Sequence, residues 1–253
     1  MSEKGNQAVK TVSFMMLITL FGKILGMVRE QLLAANYGTD MQAAAFLLAS
    51  RIPRTFFDVI FASAISASFI PVFVEYLQKK GRQEAFSLAN RFITMISTVT
   101  LLMMLLGMAF AKPLTLLIAP GYDVETVTLC VGLLRMLFPT MLFTAVAFSF
   151  VGILQSLEEF NVPAALSVVS NGVLILYYIF FNEKFGILGL TVAFLIGWAM
   201  QAVIQIPSLW KKGYHYHPDF HFKDEGLRKI GKLMLPVMVS TWIQPINFMV
   251  NTR

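Results

Sequence analysis

Long apolar stretches separated by short polar segments run along the whole chain. Seven of them approach or exceed the roughly 20 residues that a helix needs to cross a bilayer core about 30 Å thick. They cover 10–36, 42–77, 87–111, 125–155, 162–181, 186–208 and 230–253. The pattern therefore predicts an all-α, polytopic membrane helix bundle of about seven transmembrane helices. The second and fourth stretches are longer than a bilayer requires, and we expect Pro53 and Pro139 to bend them.

The polar segments suggest how the chain is divided. Residues 1–229 are predicted to form a six-helix N-terminal membrane lobe that includes a long cytoplasmic loop, 209–229. Residues 230–253 would then begin a seventh helix, which belongs to a second lobe. The sequence ends inside this apolar stretch without a recognisable helix cap, so we expect the chain to be the first half of a longer transporter.

The composition agrees with a protein that faces lipid. Hydrophobic residues make up 57% of the chain and charged residues only 13%, whereas soluble domains carry about 25% charged residues. The single cysteine, Cys130, excludes an internal disulfide. The sequence has no nucleotide-binding loop, catalytic-serine motif or zinc-protease motif, so we predict a protein that is not an enzyme and needs no cofactor or metal. Transport would then depend on a coupling ion or on the membrane potential.

The basic residues outside the apolar stretches predict the orientation of the chain. With a cytoplasmic N-terminus, only Lys112 and Lys184 fall on the outer side. The inner segments then hold Lys4, Lys10, Lys79, Lys80, Arg82, Arg91, Lys211, Lys212, Lys223, Arg228, Lys229 and Lys232. This asymmetry predicts a multi-pass protein of the cytoplasmic membrane with its N-terminus inside. The net charge of +6 is then explained by basic loops, and we expect no nucleic-acid partner.

Several charged residues lie within the apolar stretches, where each costs roughly 2.5–3.5 kcal/mol on insertion scales. We predict that a water-filled cavity collects them and that four cations bind an anionic ligand that carries phosphate or pyrophosphate. These four are Lys23, Arg29, Arg51 and Arg54, while Glu30 and Asp58 are candidates for ion pairing or gating. The alternative is that Arg51, Arg54 and Asp58 form a structural ion pair that hides charge from lipid.

Two of the cations face a geometric problem. Lys23 and Arg29 are six residues apart, about 240° around an ideal helix, and would share a cavity only if the helix were distorted near Gly22 or Gly26. Arg135 either lines the cavity or extends to the membrane interface. Further cavity-lining candidates lie late in the chain, where they could equally form interhelical hydrogen bonds: Gln244, Asn247 and Asn251.

Several short motifs resemble one family. They include the run FGKILGMVRE at 21–30, APGY at 119–122, FP at 138–139 and FNVPA at 160–164. Together they resemble the MurJ/MviN family of lipid II flippases, which belongs to the MOP superfamily. The resemblance implies a fourteen-span protein of two lobes that moves an undecaprenyl-pyrophosphate-linked peptidoglycan precursor across the membrane by alternating access.

The resemblance also bears on individual residues. Lys23 and Arg29 match cations of the family's first span. The chain departs from the family pattern at three positions. Ala44 stands where the family has an acidic residue, Phe57 where it has an arginine and Ala62 where it has a glutamate. Arg54 lies close enough to Phe57 to replace the arginine. These departures leave two alternatives open: a flippase for another lipid-linked oligosaccharide, or a cation-coupled drug exporter of the related MATE type, although the latter would favour an acidic cavity.

Overall fold

The structure is a computed structural model, and it describes the backbone of residues 3–57 and 65–251, with side chains mainly within 11–55 and 65–240. The described part is helical and contains no strand. A short π-helical turn, Ile65–Phe69, precedes the third helix. The helices are α1 (Glu3–Tyr37), α2 (Met41–Phe57), α3 (Ile70–Lys79), α4 (Arg82–Ala109), α5 (Ala111–Ile118), α6 (Val124–Leu137), α7 (Thr140–Ser156), α8 (Asn161–Ala164), α9 (Leu166–Phe180), α10 (Asn182–Val203), α11 (Ile206–Lys211) and α12 (Glu225–Asn251).

The predicted all-α membrane bundle is confirmed. Within the described residues, five segments are long and apolar enough to cross a membrane, and each lies within a few residues of a predicted stretch. They are Thr11–Tyr37, Arg82–Ala109, Val124–Ser156, Asn161–Phe180 and Asn182–Lys211. The second predicted stretch passes through 58–64, which lie outside the described residues. The count of seven spans, and the predicted boundary between lobes at residue 230, remain predictions.

Proline has different effects in the two long stretches. Helix α6 ends at Leu137 and α7 begins at Thr140, so the chain breaks at Pro139, as expected from a residue that cannot donate a backbone hydrogen bond. Helix α2 instead continues through Pro53 to Phe57. The interruption at Pro139 divides one long apolar stretch into two helices, of which α6 packs mainly against α2 and α7 mainly against α10 and α4.

Two apolar clusters form the core. One lies between the π-helical turn, α3, α4, α7 and α12, where the rings of Phe69 and Phe92 stack with centroids 4.5 Å apart. The other joins α2, α6, α9 and α10 around residues such as Phe138, which is 2% exposed. Gly107 of α4 faces Phe138 so closely that a Cβ there would overlap the ring, the third-nearest ring atom being only 2.7 Å away.

Helix α1 differs from the rest because most of its surface is open. Within the most apolar 18 residues of α1, only 6% of the residues are buried in the described structure, compared with 67% for the Val124–Ser156 segment. It packs mainly against α9, with smaller contacts to α8 and α2. Its remaining faces carry exposed apolar side chains such as Met16, Leu17 and Met27. This leaves one narrow contact strip to determine how α1 and its charges are placed.

The polar segment between α11 and α12 is fastened to α4. Arg91 of α4 donates to the carboxylates of Asp219 and Asp224 over 2.9 and 2.6 Å. Tyr214, which is 1% exposed, donates to Asn90 over 2.8 Å. We call residues 212–224 the strap. The histidines have separate surroundings: the ring of His215 stacks on Trp210, the His217 N–H points to Asn90, and His221 contacts Asp219.

Candidate functional site

The candidate site begins where α1 crosses α9. Gly22 of α1 lies against Ser167 of α9, and a Cβ on Gly22 would collide with the serine hydroxyl and lie 3.3 Å from its Cβ. One turn later, Gly26 faces Asn171, whose Nδ2 would be 3.5 Å from an added Cβ. Gly22 therefore allows α1 and α9 to approach closely, in the way small residues do in membrane helix pairs, whereas a Cβ at Gly26 would make only an ordinary van der Waals contact.

Arg29 lies two turns beyond Gly22 on this strip. Its side chain is 27% exposed, and its Nη1 donates to Oδ1 of Asn171 over 3.0 Å. Its Nη2 donates to the carboxylate of the adjacent Glu30, which is 57% exposed. The guanidinium is therefore held between a buried amide on one helix and an exposed carboxylate on its own helix.

This guanidinium forms part of the wall of a cavity of about 310 Å³, a volume that includes space open to solvent. Helices α1, α2, α9 and α10 enclose it, so the cavity is amphipathic: a charged pair stands among apolar and aromatic side chains. The lining residues are Arg29, Glu30, Leu33, Phe46, Leu47, Ser50, Leu174, Tyr178, Leu190 and Phe194.

A second cavity of about 250 Å³ adjoins the first. Arg54 belongs to its lining, and Ser50 and Phe194 line both cavities. The remaining lining residues come from the start of α7 and from α2 and α10: Pro53, Thr140, Met141, Thr144 and Trp198. Two of the four predicted binding cations thus lie at neighbouring hollows of one helix cluster.

The other two predicted cations lie elsewhere. Lys23 and Arg51 are exposed, and the linings of these two cavities, as drawn from the described residues, do not include them. Helix α1 runs unbroken from Glu3 to Tyr37, so the distortion that would have brought Lys23 beside Arg29 does not occur. Successive residues of an α-helix are rotated by about 100°, so Lys23 lies on the same side of α1 as Glu30, seven residues later.

Arg135 has a local structural role. Its Nε donates to the carbonyl oxygen of Met108 over 3.2 Å. Met108 lies in the last turn of α4, where carbonyl groups lack helical partners and attract cations. This contact gives the Arg135 guanidinium a structural partner at the end of α4, and its role in lining the cavity stays a prediction. Asp58 and the side chains of Gln244, Asn247 and Asn251 lie outside the described residues.

Sequence reasoning missed the residues that shape this site around the arginines. Asn171 is the clearest case, since it is 6% exposed and contacts Arg29 from a position 142 residues away in sequence. A polar amide within an apolar stretch was the available signal, because such groups are normally paired inside a membrane bundle. Tyr178, Ser50 and Phe194 carry no such signal, since their spacing is that of ordinary helix packing.

A bundle of long apolar helices with arginine-lined cavities between them is typical of a multi-pass membrane protein. The family model for the lipid II flippase MurJ matches residues 33–253, and the chain belongs to this family. Its members are transporters and not enzymes. Helix α1 before residue 33, including Arg29, lies ahead of the matched region.

Named relatives agree with this assignment. The probable lipid II flippase MurJ of Buchnera aphidicola subsp. Acyrthosiphon pisum is 31% identical over 240 residues, covering 93% of this chain and 47% of the relative. The corresponding protein of Haemophilus influenzae is 30% identical over 250 residues, covering 93% and 48%. The chain therefore spans about half the length of the curated relatives it matches.

Solved structures extend the comparison to the fold. The lipid II flippase MurJ in an inward closed conformation superposes with a TM-score of 0.76 at 26% identity, over 92% of this chain and 48% of that one. A MATE transporter of Vibrio cholerae in a bent form gives a TM-score of 0.77 at 16% identity, over 98% and 57%. The second likeness, at this low identity, shows a shared fold alone.

Proposed function

We propose that this chain forms the N-terminal lobe of a lipid II flippase in the bacterial cytoplasmic membrane, with its N-terminus in the cytoplasm. The full-length protein would move an undecaprenyl-pyrophosphate-linked peptidoglycan precursor between leaflets by alternating access. The observation that carries this proposal is the partly buried Arg29 guanidinium at the wall of an amphipathic cavity. A lipid-linked pyrophosphate has the matching chemistry, because a dianionic head is attached to an apolar tail.

The arginines are suited to hold such a head. A guanidinium has five N–H donors in a planar fork that matches phosphate oxygens. The contacts of Arg29 to Asn171 and Glu30 use one donor on each terminal nitrogen, so donors remain for an anion. Arg54 in the adjoining cavity would contact the same head or the group attached to it.

The exposed charges would act from the open side of the site. Lys23 and Arg51 would attract the anion as it enters, and Glu30 and Asp58 would balance the cations while the site is empty. Gln244, Asn247 and Asn251 would add polar side chains to the substrate pathway. Movement of the charged head would be driven by the membrane potential, about 2.3 kcal/mol per charge per 100 mV, or by a coupling ion.

A flippase for another lipid-linked oligosaccharide remains the second candidate. It is favoured by Ala44 and Phe57, which stand where the family pattern has charged residues. The phosphate chemistry would be the same in both cases, and only the sugar or peptide attached to it would differ. A drug exporter of the MATE type fits less well, because a cavity wall with Arg29 and Arg54 repels cationic drugs.

Replacement of Arg29 tests the proposal. The full-length gene product carrying Arg29→Ala should fail to support growth of a strain depleted of its own flippase, and externally accessible lipid II should fall at least tenfold. Arg135→Ala is the matched control, because it removes another intramembrane arginine that caps α4 away from the cavity. Equal amounts of both variants in the membrane must be verified by immunoblot. Growth and lipid II exposure at the unsubstituted level with Arg29→Ala would refute the proposed site.

A further inference from the structure

Asn171 uses both ends of its side-chain amide to bind α1. Its Oδ1 accepts from Nη1 of Arg29 over 3.0 Å, and its Nδ2 donates to the backbone carbonyl of Gly22 over 3.1 Å. The reverse orientation would place an NH₂ group against the guanidinium and an oxygen against a carbonyl. These two partners therefore determine which way the amide points.

The geometry of α1 explains why one amide reaches two residues that are seven positions apart. Gly22 and Arg29 lie on the same stripe of the helix, about 20° apart in projection and about 10.5 Å apart along the axis. Helical side chains lean towards the N-terminus, so the long arginine side chain returns towards Gly22. Gly26 lies between them and faces the Asn171 amide, whose Nδ2 would be 3.5 Å from an added Cβ.

We propose that Asn171 is a positioning residue for anion binding, which holds the Arg29 guanidinium at the cavity wall before the anionic ligand arrives. This inference rests on the proposed function, since it names what prepares the same site. A long arginine side chain loses many rotamers on binding, and a side chain that is already fixed loses fewer. The neutral amide achieves this without reducing the positive charge, whereas Glu30 holds the guanidinium and also attenuates its attraction for an anion.

The competing explanation is that Asn171 only joins α1 to α9. The chain offers a matched control for this, because Asn182 makes a similar junction near the end of α1. Its Oδ1 accepts from the Tyr37 hydroxyl over 2.5 Å, and its Nδ2 donates to Asn36 over 2.9 Å. Asn182 thus fixes the same helix through the same chemistry and does not contact Arg29.

Binding to the purified full-length gene product in lipid nanodiscs tests the inference. The probe is undecaprenyl pyrophosphate, and undecaprenol is the uncharged comparison. Arg29→Ala and Asn171→Ala should each weaken pyrophosphate binding at least tenfold and leave undecaprenol binding unchanged. Asn182→Ala should stay within twofold of the unsubstituted protein. In the Arg29→Ala background, Asn171→Ala should cause no further loss, because Asn171 acts through the guanidinium.

The outcomes separate this inference from the proposed function. Unchanged binding by Asn171→Ala, together with weak binding by Arg29→Ala, overturns the inference and leaves the proposed site intact. An equal loss from Asn171→Ala with and without Arg29, or an equal loss from Asn182→Ala, assigns Asn171 a purely structural role. Unchanged binding by Arg29→Ala refutes the proposed site itself.

A second variant covers the case in which Asn171→Ala does not fold. Asn171→Asp keeps the size and the acceptor towards Arg29, exchanges the donor to the Gly22 carbonyl for an oxygen, and adds a negative charge beside the guanidinium. We expect this variant to fold and to lose more than tenfold in affinity for undecaprenyl pyrophosphate, with undecaprenol unaffected. Pyrophosphate binding by Asn171→Asp at the unsubstituted level would overturn the inference.

Discussion

Arg91→Ala should release the strap, residues 212–224, from α4. Arg91 donates to Asp219 and Asp224 over 2.9 and 2.6 Å, and the three side chains are 23%, 22% and 18% exposed. One guanidinium thus joins two carboxylates that are five residues apart on the strap. Its removal leaves both carboxylates without this cation.

The size of the effect follows from the exposure of these groups. Hydrogen bonds to charged groups contribute about 1.5–3 kcal/mol when shielded, and fully exposed ion pairs about 0–1 kcal/mol. At about one-fifth exposure we assign each contact about 1 kcal/mol, so the loss of both costs about 2 kcal/mol of local stability. Since 1.4 kcal/mol is a factor of ten, the strap should open roughly 30-fold more often.

Limited trypsin digestion of the detergent-solubilised protein measures this opening. Lys212 and Lys223 bracket the strap, and when opening and closing are fast the cleavage rate reports the open population. Arg91→Lys keeps the charge but not the planar fork, so its cleavage rate should be intermediate. Lys79→Ala, which removes an ion pair to Glu75 from a side chain 72% exposed, should change the rate less than twofold. Cleavage of Arg91→Ala at the unsubstituted rate would show that the other contacts hold the strap alone.

Two further predictions concern packing and acid. Gly107→Ala should destabilise the bundle by about 1–3 kcal/mol, because the added methyl overlaps the buried Phe138 ring. Adding Phe138→Leu to this variant should recover part of the lost thermal stability. A melting temperature unchanged by Gly107→Ala would contradict the packing between α4 and Phe138. The pKa of Asp219 is lowered to about 2, first by the backbone N–H of His221, then by its ring and by Arg91. Because this pKa is lower in the folded protein than the unfolded value of about 4, the ionised carboxylate stabilises the strap above about pH 4, and this stabilisation is lost as the pH falls through about 2. Hydrogen exchange of the strap amides should therefore show constant protection from neutral pH to about pH 5 and progressively weaker protection below about pH 4.

The sequence predicted the spans well because span length and apolarity are set by the lipid and can be read locally. The spacing of Lys23 and Arg29 also indicated that the two cations share a side only if the helix is distorted, and α1 is regular through Gly22 and Gly26, so their predicted joint binding role gains no support from α1. Both statements depend only on neighbouring residues and helical geometry.

Contacts between distant segments could not be predicted in this way. Asn171 meets Arg29 across 142 positions, and Arg91 meets Asp219 across 128. Nothing near Arg135 in sequence indicates that its partner is a carbonyl 27 residues earlier. A charge inside an apolar stretch indicates that the side chain has a polar partner, but the packing of the helices determines whether that partner is a ligand, an amide or a helix end.

The two asparagines that grip α1, Asn171 and Asn182, do so at different heights. A helix held by hydrogen bonds at two levels can neither rotate about its axis nor shift by one residue without breaking both sets of contacts. The position of Arg29 along the membrane normal is therefore set by its protein neighbours, and a thicker or thinner bilayer should leave its guanidinium beside the same cavity.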